Sequence, residues 1–159
     1  MSNVKYKNLK TLRFENRSPH EDPEYVKDTD SGFDLRAWII EGSITLRPLE
    51  RSVVHTGLYF ELPDYTEIQV RPRSGMAAKR GLSVCNTPGT VDEGYRGEVC
   101  VIAVNLSNED IVIEDGERIA QAALCPVYNG SLVRLEKIDG AISTDTDRGS
   151  DGFGSTGSI

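Results

Sequence analysis

Apolar residues recur at every second position along much of the chain. Residues 33–39 and 54–60 alternate in this way, and residues 132–138 repeat the pattern nearer the C-terminal end. A period of two is typical of β-strands that bury one face. Residues 99–104 are apolar at every position, which predicts a strand buried on both faces, and residues 119–127 form a near-continuous apolar run. Many short strands separated by turn residues predict an all-β sandwich, jelly roll or barrel.

One segment, residues 74–81, interrupts the strand pattern and predicts a short helix. Ser74 is a favourable N-cap, two alanines follow as strong helix formers, and Gly81 can end the helix. Residues 71–73 read Arg-Pro-Arg immediately before it. The first turn of a helix presents N–H groups that attract anions. The segment is therefore either a capped connector or an anion-binding site.

The C-terminal stretch 148–157 has no apolar periodicity and cannot build a core. It combines glycines and hydroxyl side chains with one arginine, Arg148, and one aromatic ring, Phe153. Such a tail is either solvated and disordered or a flexible lid over a nucleotide. Glycine lets backbone N–H groups approach phosphate, arginine adds a charged donor, and an aromatic ring offers a face to a base. Arg148 and Phe153 favour the lid.

Size and charge narrow the possible functions. With 159 residues the chain is long enough for one domain, and its net charge is −7. An acidic protein is a poor general nucleic-acid binder, but a few clustered arginines can still bind a small anionic molecule. We find neither an apolar run that spans a membrane nor a signal peptide. We therefore expect a cytoplasmic protein without nucleic-acid or membrane partners.

The cysteines point to a reducing compartment. The chain has an odd number of cysteines without a CxxC spacing, namely Cys85, Cys100 and Cys125. We therefore expect them to be reduced and mostly buried. The histidines, His20 and His55, are far apart in sequence and not near the cysteines. On that basis the sequence does not predict a zinc site.

Five polar segments, placed between the predicted strands and at the C-terminal end, carry the candidate chemistry. In chain order they read SGFDL (31–35), RPRSGMA (71–77), NTPGTVDEGYRG (86–97), GERIAQ (116–121) and RGSDGFGSTG (148–157). On these motifs the chain resembles the trimeric deoxyuridine triphosphatase (dUTPase) family. All five family motifs appear in order and span nearly the whole chain, from residue 31 to residue 157.

The resemblance implies a fold, an assembly and a reaction. The fold is all-β, a dUTPase-like distorted jelly roll or β-barrel with one short helix. Residues 1–147 would form the catalytic domain, and residues 148–159 a flexible glycine-rich arm that closes over the active site. The protein would be a homotrimer with active sites at subunit interfaces. It would hydrolyse dUTP to dUMP and pyrophosphate with Mg²⁺, which keeps uracil out of DNA and supplies dUMP for thymidylate synthesis.

The resemblance assigns catalytic roles to two polar residues and a metal-linked role to a third. Asp92 would be the general base that activates water for in-line attack on the α-phosphate, although a turn-forming role fits its local sequence equally well. Gln121 would assist at the phosphates, and a glutamine inside an apolar strand needs hydrogen-bonding partners. Asp34 would orient Mg²⁺-bound waters; its alternative is a charged residue on the solvent face of a strand.

The remaining site residues divide by the part of the nucleotide that they would bind. A β-hairpin pocket around Asp92 would hold uracil and deoxyribose, with Phe153 stacked on the base. As alternatives, Asn86 could cap a turn and Tyr95 could make a cross-strand contact. The resemblance assigns uracil and deoxyribose to Asn86, Gly89, Thr90, Val91, Tyr95 and Phe153. It assigns the phosphates to Arg73, Ser74, Gly75, Gln121, Arg148, Gly154, Ser155 and Thr156.

Two other functions remain open from the sequence. The first is a related dCTP deaminase, and the second is a nucleotide-binding regulatory module without turnover. The Arg-Ser-Gly string at residues 73–75 and the glycine-rich tail favour the hydrolase over the deaminase, and Asp92 argues against a purely regulatory role. The place of Arg118, at substrate or at a subunit interface, stays undecided.

Overall fold

The structure is a computed structural model that describes residues 10–150 of the chain. The chain divides into two compact units, Met1–Val127 and Tyr128–Ile159. Within the described residues, the strands and the helix all lie in the first unit. The predicted boundary of the arm at residue 148 stays a prediction.

The first unit consists of antiparallel sheets, which confirms the all-β prediction. One four-stranded sheet has the order β1-β4-β8-β6, a second has the order β2-β10-β5-β7, and β3 pairs with β9. The elements are β1 Arg13–Asn16, β2 Phe33–Arg36, β3 Ser43–Leu46, β4 Arg51–Glu61, β5 Thr66–Pro72, α1 Ser74–Arg80, β6 Leu82–Val84, β7 Gly89–Val91, β8 Glu98–Asn105, β9 Ile111–Glu114 and β10 Arg118–Pro126.

The alternating residues supply the core between the sheets. Leu35 and Ile68 of the second sheet are fully buried, and Val54 and Val101 of the first sheet are almost fully buried. Strand β8 departs from its predicted burial. Its residues 98–103 alternate between half-buried and buried positions, so one face packs in the core while the other is only half covered within this chain. An all-apolar strand therefore does not by itself show two buried faces.

The helix α1 forms where it was predicted but begins one residue earlier than expected. Arg73 occupies the N-cap position in an extended conformation, so Ser74 is the first helical residue rather than the cap. No side chain caps the helix, and its first turn carries no acidic residue. Gly81 ends the helix in the left-handed conformation with φ 70°, as its lack of a Cβ allows.

Strand β4 contains an irregularity in its pairing with β8, and Gly57 lies within it. Its pairing with β8 shifts between Val54 and Leu58, and Gly57 lies there at φ 71°. A Cβ on Gly57 would lie 2.7 Å from the backbone nitrogen of Ser18. The position therefore requires glycine for both its conformation and its close contact.

The second unit is irregular over its described residues, 128–150. The strand predicted for residues 132–138 is not formed. Leu132 and Val133 instead donate backbone hydrogen bonds to the carbonyl of Asn129, and Leu135 is 96% exposed. Alternation alone does not make a strand, because the backbone groups also need a neighbouring strand to pair with.

No helix in the described part of the chain is long and apolar enough to cross a membrane.

Candidate active site

Asp34 joins two arginines at one edge of the second sheet. Its Oδ1 lies 2.7 Å from Nε of Arg73, and its Oδ2 lies 3.3 Å from Nη1 of Arg118. Arg73 also donates a hydrogen bond to the carbonyl of Arg118. Two guanidinium groups around one carboxylate leave excess positive charge, so the cluster is suited to an additional anion. The structure places Arg118 beside Asp34, which the sequence had left undecided.

Gln121 lies between this carboxylate and the next strand. On β10 it stands opposite Asp34 of β2 on one side and Arg71 of β5 on the other. Its Nε2 donates a hydrogen bond of 2.8 Å to the carbonyl of Pro72. That bond satisfies the half-buried amide and fixes its direction, as the prediction of a partnered glutamine required.

A cleft of about 600 Å³ opens in front of these groups. We call it the arginine cleft and define it by five of its lining residues: Asp34, Arg73, Ser74, Gly75 and Gln121. Ser74 and Gly75 form the uncapped first turn of α1, where backbone N–H groups have no helical acceptor. The structure therefore brings together these five residues predicted from three separate motifs.

Asp92 lies in an exposed turn at the far end of the short strand β7. The turn closes with a hydrogen bond from the backbone N–H of Tyr95 to the carbonyl of Asp92. The neighbouring Glu93 fastens it to the body of the sheet by accepting a 2.9 Å bond from the backbone N–H of Tyr65. Asp92 is thus presented to solvent from an anchored turn, and its role as a general base stays a prediction.

Tyr95 folds back over the strand that follows this turn. Its hydroxyl donates a 3.0 Å hydrogen bond to the carbonyl of Glu98. A Cβ on Gly97 would lie 2.4 Å from that hydroxyl oxygen, so the ring packs directly on the glycine. The structure therefore fixes Tyr95 by a contact with its own chain, while 46% of the residue stays exposed.

Asn86 packs against the backbone at the start of β7. A Cβ on Gly89 would lie 3.2 Å from Nδ2 of Asn86 and 3.3 Å from Cβ of Val70. Glycine therefore allows the asparagine amide to lie close to the chain. Thr90 is exposed beside it, and Val91 is buried in the core.

The β-hairpin predicted around Asp92 is not formed. Strand β7 pairs with β5 of the second sheet, whereas β8 pairs with β4 and β6 of the first. The chain therefore crosses from one sheet to the other at the Asp92 turn. Sequence neighbours on either side of a turn suggest a hairpin, but here the two strands pair with other strands, in different sheets.

Asp92 and the arginine cleft lie at opposite ends of β5. Val91 stands opposite Ile68 near the beginning of that strand, while Arg73 follows its last residue. Five residues at a rise of about 3.3 Å separate the two levels by about 17 Å. Asp92 lies farther still, because β7 runs antiparallel to β5. Within one chain, Asp92 therefore does not reach a phosphate held at Arg73.

The arginine cleft does not hold a metal by protein ligands alone. Among the described residues, the only grouping of three histidine, cysteine or acidic side chains with ligand spacing lies on other strands. Asp34, Glu24 and Asp30 line the cleft, and both carboxylate oxygens of Asp34 contact arginine. Mg²⁺ commonly binds through one carboxylate together with substrate phosphates and water. The donors therefore fit a Mg²⁺ ion that the phosphates bring with them.

The predicted residues of the arm belong to the second unit or lie outside the described residues. Arg148 belongs to the second unit, where Gly149 donates a hydrogen bond to the hydroxyl of Thr146. Phe153, Gly154, Ser155 and Thr156 lie outside the described residues. Their roles stay predictions.

The structure corrects the expectation for the cysteines and histidines. Cys85 is exposed, and Cys100 and Cys125 are only half-buried. His55 lies next to Cys100, with 3.7 Å between Nδ1 and Sγ. These residues are far apart in sequence and meet only because β4 pairs with β8, which no local signal reveals.

Comparison with known proteins agrees with the motifs. The dUTPase family model matches residues 18–157. The deoxyuridine 5'-triphosphate nucleotidohydrolase of Cytophaga hutchinsonii is 46% identical over 147 residues, which cover 92% of each chain. A dUTPase variant of Staphylococcus bacteriophage 80alpha with dUpNHpp superposes with a TM-score of 0.74 at 26% identity, covering 94% of this chain and 99% of the phage chain.

A further solved structure concerns the metal. The dUTPase of the Staphylococcus aureus phage phi11, in a variant form, coordinates a structural Mg(II) ion. It is 22% identical to this chain, with a TM-score of 0.69, and the match covers 82% of this chain and all of the phage chain. At this identity the likeness shows a shared fold.

Proposed function

Because this chain belongs to the dUTPase family, we propose that it hydrolyses dUTP to dUMP and pyrophosphate, and thereby limits uracil in DNA and supplies dUMP for thymidylate synthesis. The observation that carries the proposal is the arginine cleft, where residues of three family motifs form one anion-binding surface. The relatives named deoxyuridine 5'-triphosphate nucleotidohydrolase support the same substrate.

The arginine cleft binds the triphosphate. Arg73 supplies charge, and the uncapped first turn of α1 supplies N–H groups at Ser74 and Gly75. Gln121, held by the carbonyl of Pro72, adds a polar contact from the floor of the sheet. Oriented donors of this kind stabilise charge that moves onto the leaving pyrophosphate in the transition state.

Asp92 acts as the general base. Its carboxylate accepts a proton from water while the water oxygen bonds to the α-phosphorus. The bond from that phosphorus to the oxygen bridging to the β-phosphate breaks in line, and pyrophosphate leaves with the electron pair. Loss of a positioned base of this kind costs about 10²- to 10⁴-fold in rate.

The segment 86–95 recognises the nucleoside. The amide of Asn86 offers a donor and an acceptor, which match O4 and N3–H of uracil. Cytosine presents the opposite pattern and would leave polar groups unpaired. The backbone of Gly89, Thr90 and Val91 completes the edge of the pocket, and Tyr95 lies under the deoxyribose, where it excludes a 2′-hydroxyl.

The active site is shared between copies of the chain in a homotrimer. The separation of Asp92 from the arginine cleft along β5 supports this, because one copy must supply the base and another the phosphate cleft. Arg148, Gly154, Ser155 and Thr156 of the arm add contacts to the phosphates, and Phe153 stacks on uracil.

When bound together with the triphosphate, Mg²⁺ would neutralise part of the phosphate charge. Asp34 would hold it through water, and Arg73 and Arg118 keep that carboxylate in place. A cytoplasmic location is part of the proposal, since free cysteines suit a reducing compartment.

Product analysis tests the function. The wild-type protein and the Asp92→Asn variant are incubated with Mg²⁺ and, in parallel, dUTP, dCTP, dTTP or UTP. We expect dUMP and pyrophosphate from dUTP alone, and a loss of about 10²- to 10⁴-fold in the variant. Ammonia from dCTP would instead identify a deaminase. Binding of dUTP without turnover of any nucleotide would identify a regulatory module.

A further inference from the structure

Three potential metal ligands meet on the first sheet, away from the arginine cleft. Nδ1 of His55 lies 2.8 Å from Oε2 of Glu98 and 3.7 Å from Sγ of Cys100. All three ligand atoms lie within 4.8 Å of one another. Ligands of one tetrahedral zinc ion, at bond lengths of about 2.0–2.3 Å, are separated by similar distances.

The strand geometry holds this cluster in place. Glu98 and Cys100 are two residues apart on β8 and therefore project from the same face, and His55 lies on the paired strand β4. Oε1 of Glu98 accepts hydrogen bonds from the backbone N–H groups of Thr56 and Gly57, at 3.1 and 2.8 Å. The irregularity in β4 thus orients the carboxylate and leaves Oε2 directed at the histidine.

We propose that His55, Glu98 and Cys100 form a Zn²⁺ site with a fourth position open to solvent. One nitrogen, one oxygen and one sulfur ligand suit zinc, which accepts all three donor types. The side chain of His55 is 61% exposed, so an ion and a water molecule can enter, whereas that of Glu98 is only 17% exposed and fixed. The site is separate from the arginine cleft, whose residues belong to the second sheet and α1.

Coordination changes the state of the thiol. Burial, with the charge of Glu98, raises the pKa of Cys100 to about 11, so the free protein carries S–H at neutral pH. On binding, a zinc–sulfur bond replaces the S–H bond and the proton leaves to solvent. The carboxylate of Glu98 is already ionised at neutral pH. Burial alone would raise its pKa, but hydrogen bonds from His55 and from the backbone of Thr56 and Gly57 outweigh burial and lower the pKa.

Metal binding to the purified full-length protein tests the site. The protein is stripped with a chelator and dialysed against Zn²⁺, and bound metal is measured per chain. Co²⁺ serves as a spectroscopic probe, because a thiolate ligand gives it a charge-transfer band in the near ultraviolet. The variants are Cys100→Ser and His55→Ala, and the matched control is Cys85→Ser, which removes an exposed thiol elsewhere.

We expect one Zn²⁺ per chain in the wild type and in Cys85→Ser. Affinity should fall by more than about 10- to 100-fold in Cys100→Ser and His55→Ala, because removing a ligand costs more than disturbing an outer contact. The cobalt charge-transfer band should vanish in Cys100→Ser alone among the cysteine variants. Equal binding by wild type and Cys100→Ser, or no binding by wild type, would overturn the site. Neither result depends on dUTP turnover.

Discussion

At the scale of single residues, Gly75 is informative because the fold itself gives no reason for it. It lies in the first turn of α1, and a Cβ there would meet no protein atom within 4 Å. Glycine is a poor helix former, costing about 1 kcal/mol relative to alanine. Because Gly75 lines the arginine cleft, we infer that a ligand approaches the backbone closely at this position.

Replacing Gly75 by alanine should therefore separate stability from activity. We expect Gly75→Ala to raise the free energy of unfolding by about 0.5–1 kcal/mol. The added methyl group should also weaken dUTP binding, seen as a KM raised at least about tenfold. Thermal denaturation and steady-state kinetics measure the two effects. Gly130→Ala, another position with free space, is the control. An unchanged KM in Gly75→Ala would show that phosphate does not approach this turn.

Residue types could be assigned from sequence where a motif fixes them. The cleft residues Asp34, Arg73 and Gln121 were predicted from three motifs, and the structure brings them together. The cap of α1 was placed one residue too late, because Ser74 has the better cap chemistry but Arg73 has the extended backbone. The preference of serine for N-cap positions therefore predicted the wrong residue, because the backbone conformation determines which residue is the cap.

At the scale of elements, Asp115 in the turn between β9 and β10 holds the segment that follows β2 by hydrogen bonds. Oδ1 of Asp115 accepts hydrogen bonds from the backbone N–H of Ile39, at 2.7 Å, and from Nε2 of His20, at 2.9 Å. Burial alone would raise the pKa of Asp115, but these hydrogen bonds outweigh it and hold the pKa below its ordinary value. The ionised carboxylate therefore stabilises the native fold.

This interaction predicts a pH dependence of stability. Because the folded-state pKa of Asp115 is lowered, its contribution is complete above the unfolded value, near 4, and is lost as the pH falls through the folded value. Between about pH 5 and pH 2, the free energy of unfolding of the wild type should fall more steeply than that of Asp115→Asn. Denaturant titrations across this range measure the difference. Parallel curves for the two proteins would contradict the assignment.

The existence of strands could be predicted from sequence better than their partners. Alternation identified β2 and β4, whose buried residues build the core. It also suggested a strand at 132–138 that the described residues do not form, and a hairpin at Asp92 that divides between two sheets. A period of two reports which side chains can share a face, whereas pairing depends on distant residues.

At the scale of the whole molecule, the arm should matter for turnover and not for folding. A chain truncated before Arg148 removes one of the five family motifs but none of the strands of the first unit. We expect native β-sheet content and unchanged assembly, with turnover of dUTP nearly abolished. Circular dichroism, sizing by light scattering and an activity assay measure these three properties. Full activity in the truncated chain would remove the arm from the proposed mechanism.

The assembly could not be read from the hydrophobic pattern, which contains no count of subunits. The trimer was predicted from the family motifs and stays a proposal, and the distance along β5 supports only that more than one copy contributes to a site. The neighbourhood of His55 and Cys100 could not be predicted either, because it depends on the register of β4 against β8. Long-range register is the information that local sequence patterns lack.

The central claim is that Asp92 of one copy serves the arginine cleft of another, and mixed assemblies test it most directly. Asp92→Asn and Arg73→Ala chains, each inactive alone on dUTP, are co-expressed with different tags and the mixed assemblies are purified. In a symmetric trimer that contains both variants, about one of the three sites combines the two native residues, so we expect about a third of the wild-type activity. Mixed assemblies with no activity above the parent variants would place both residues in the same chain and contradict the shared site.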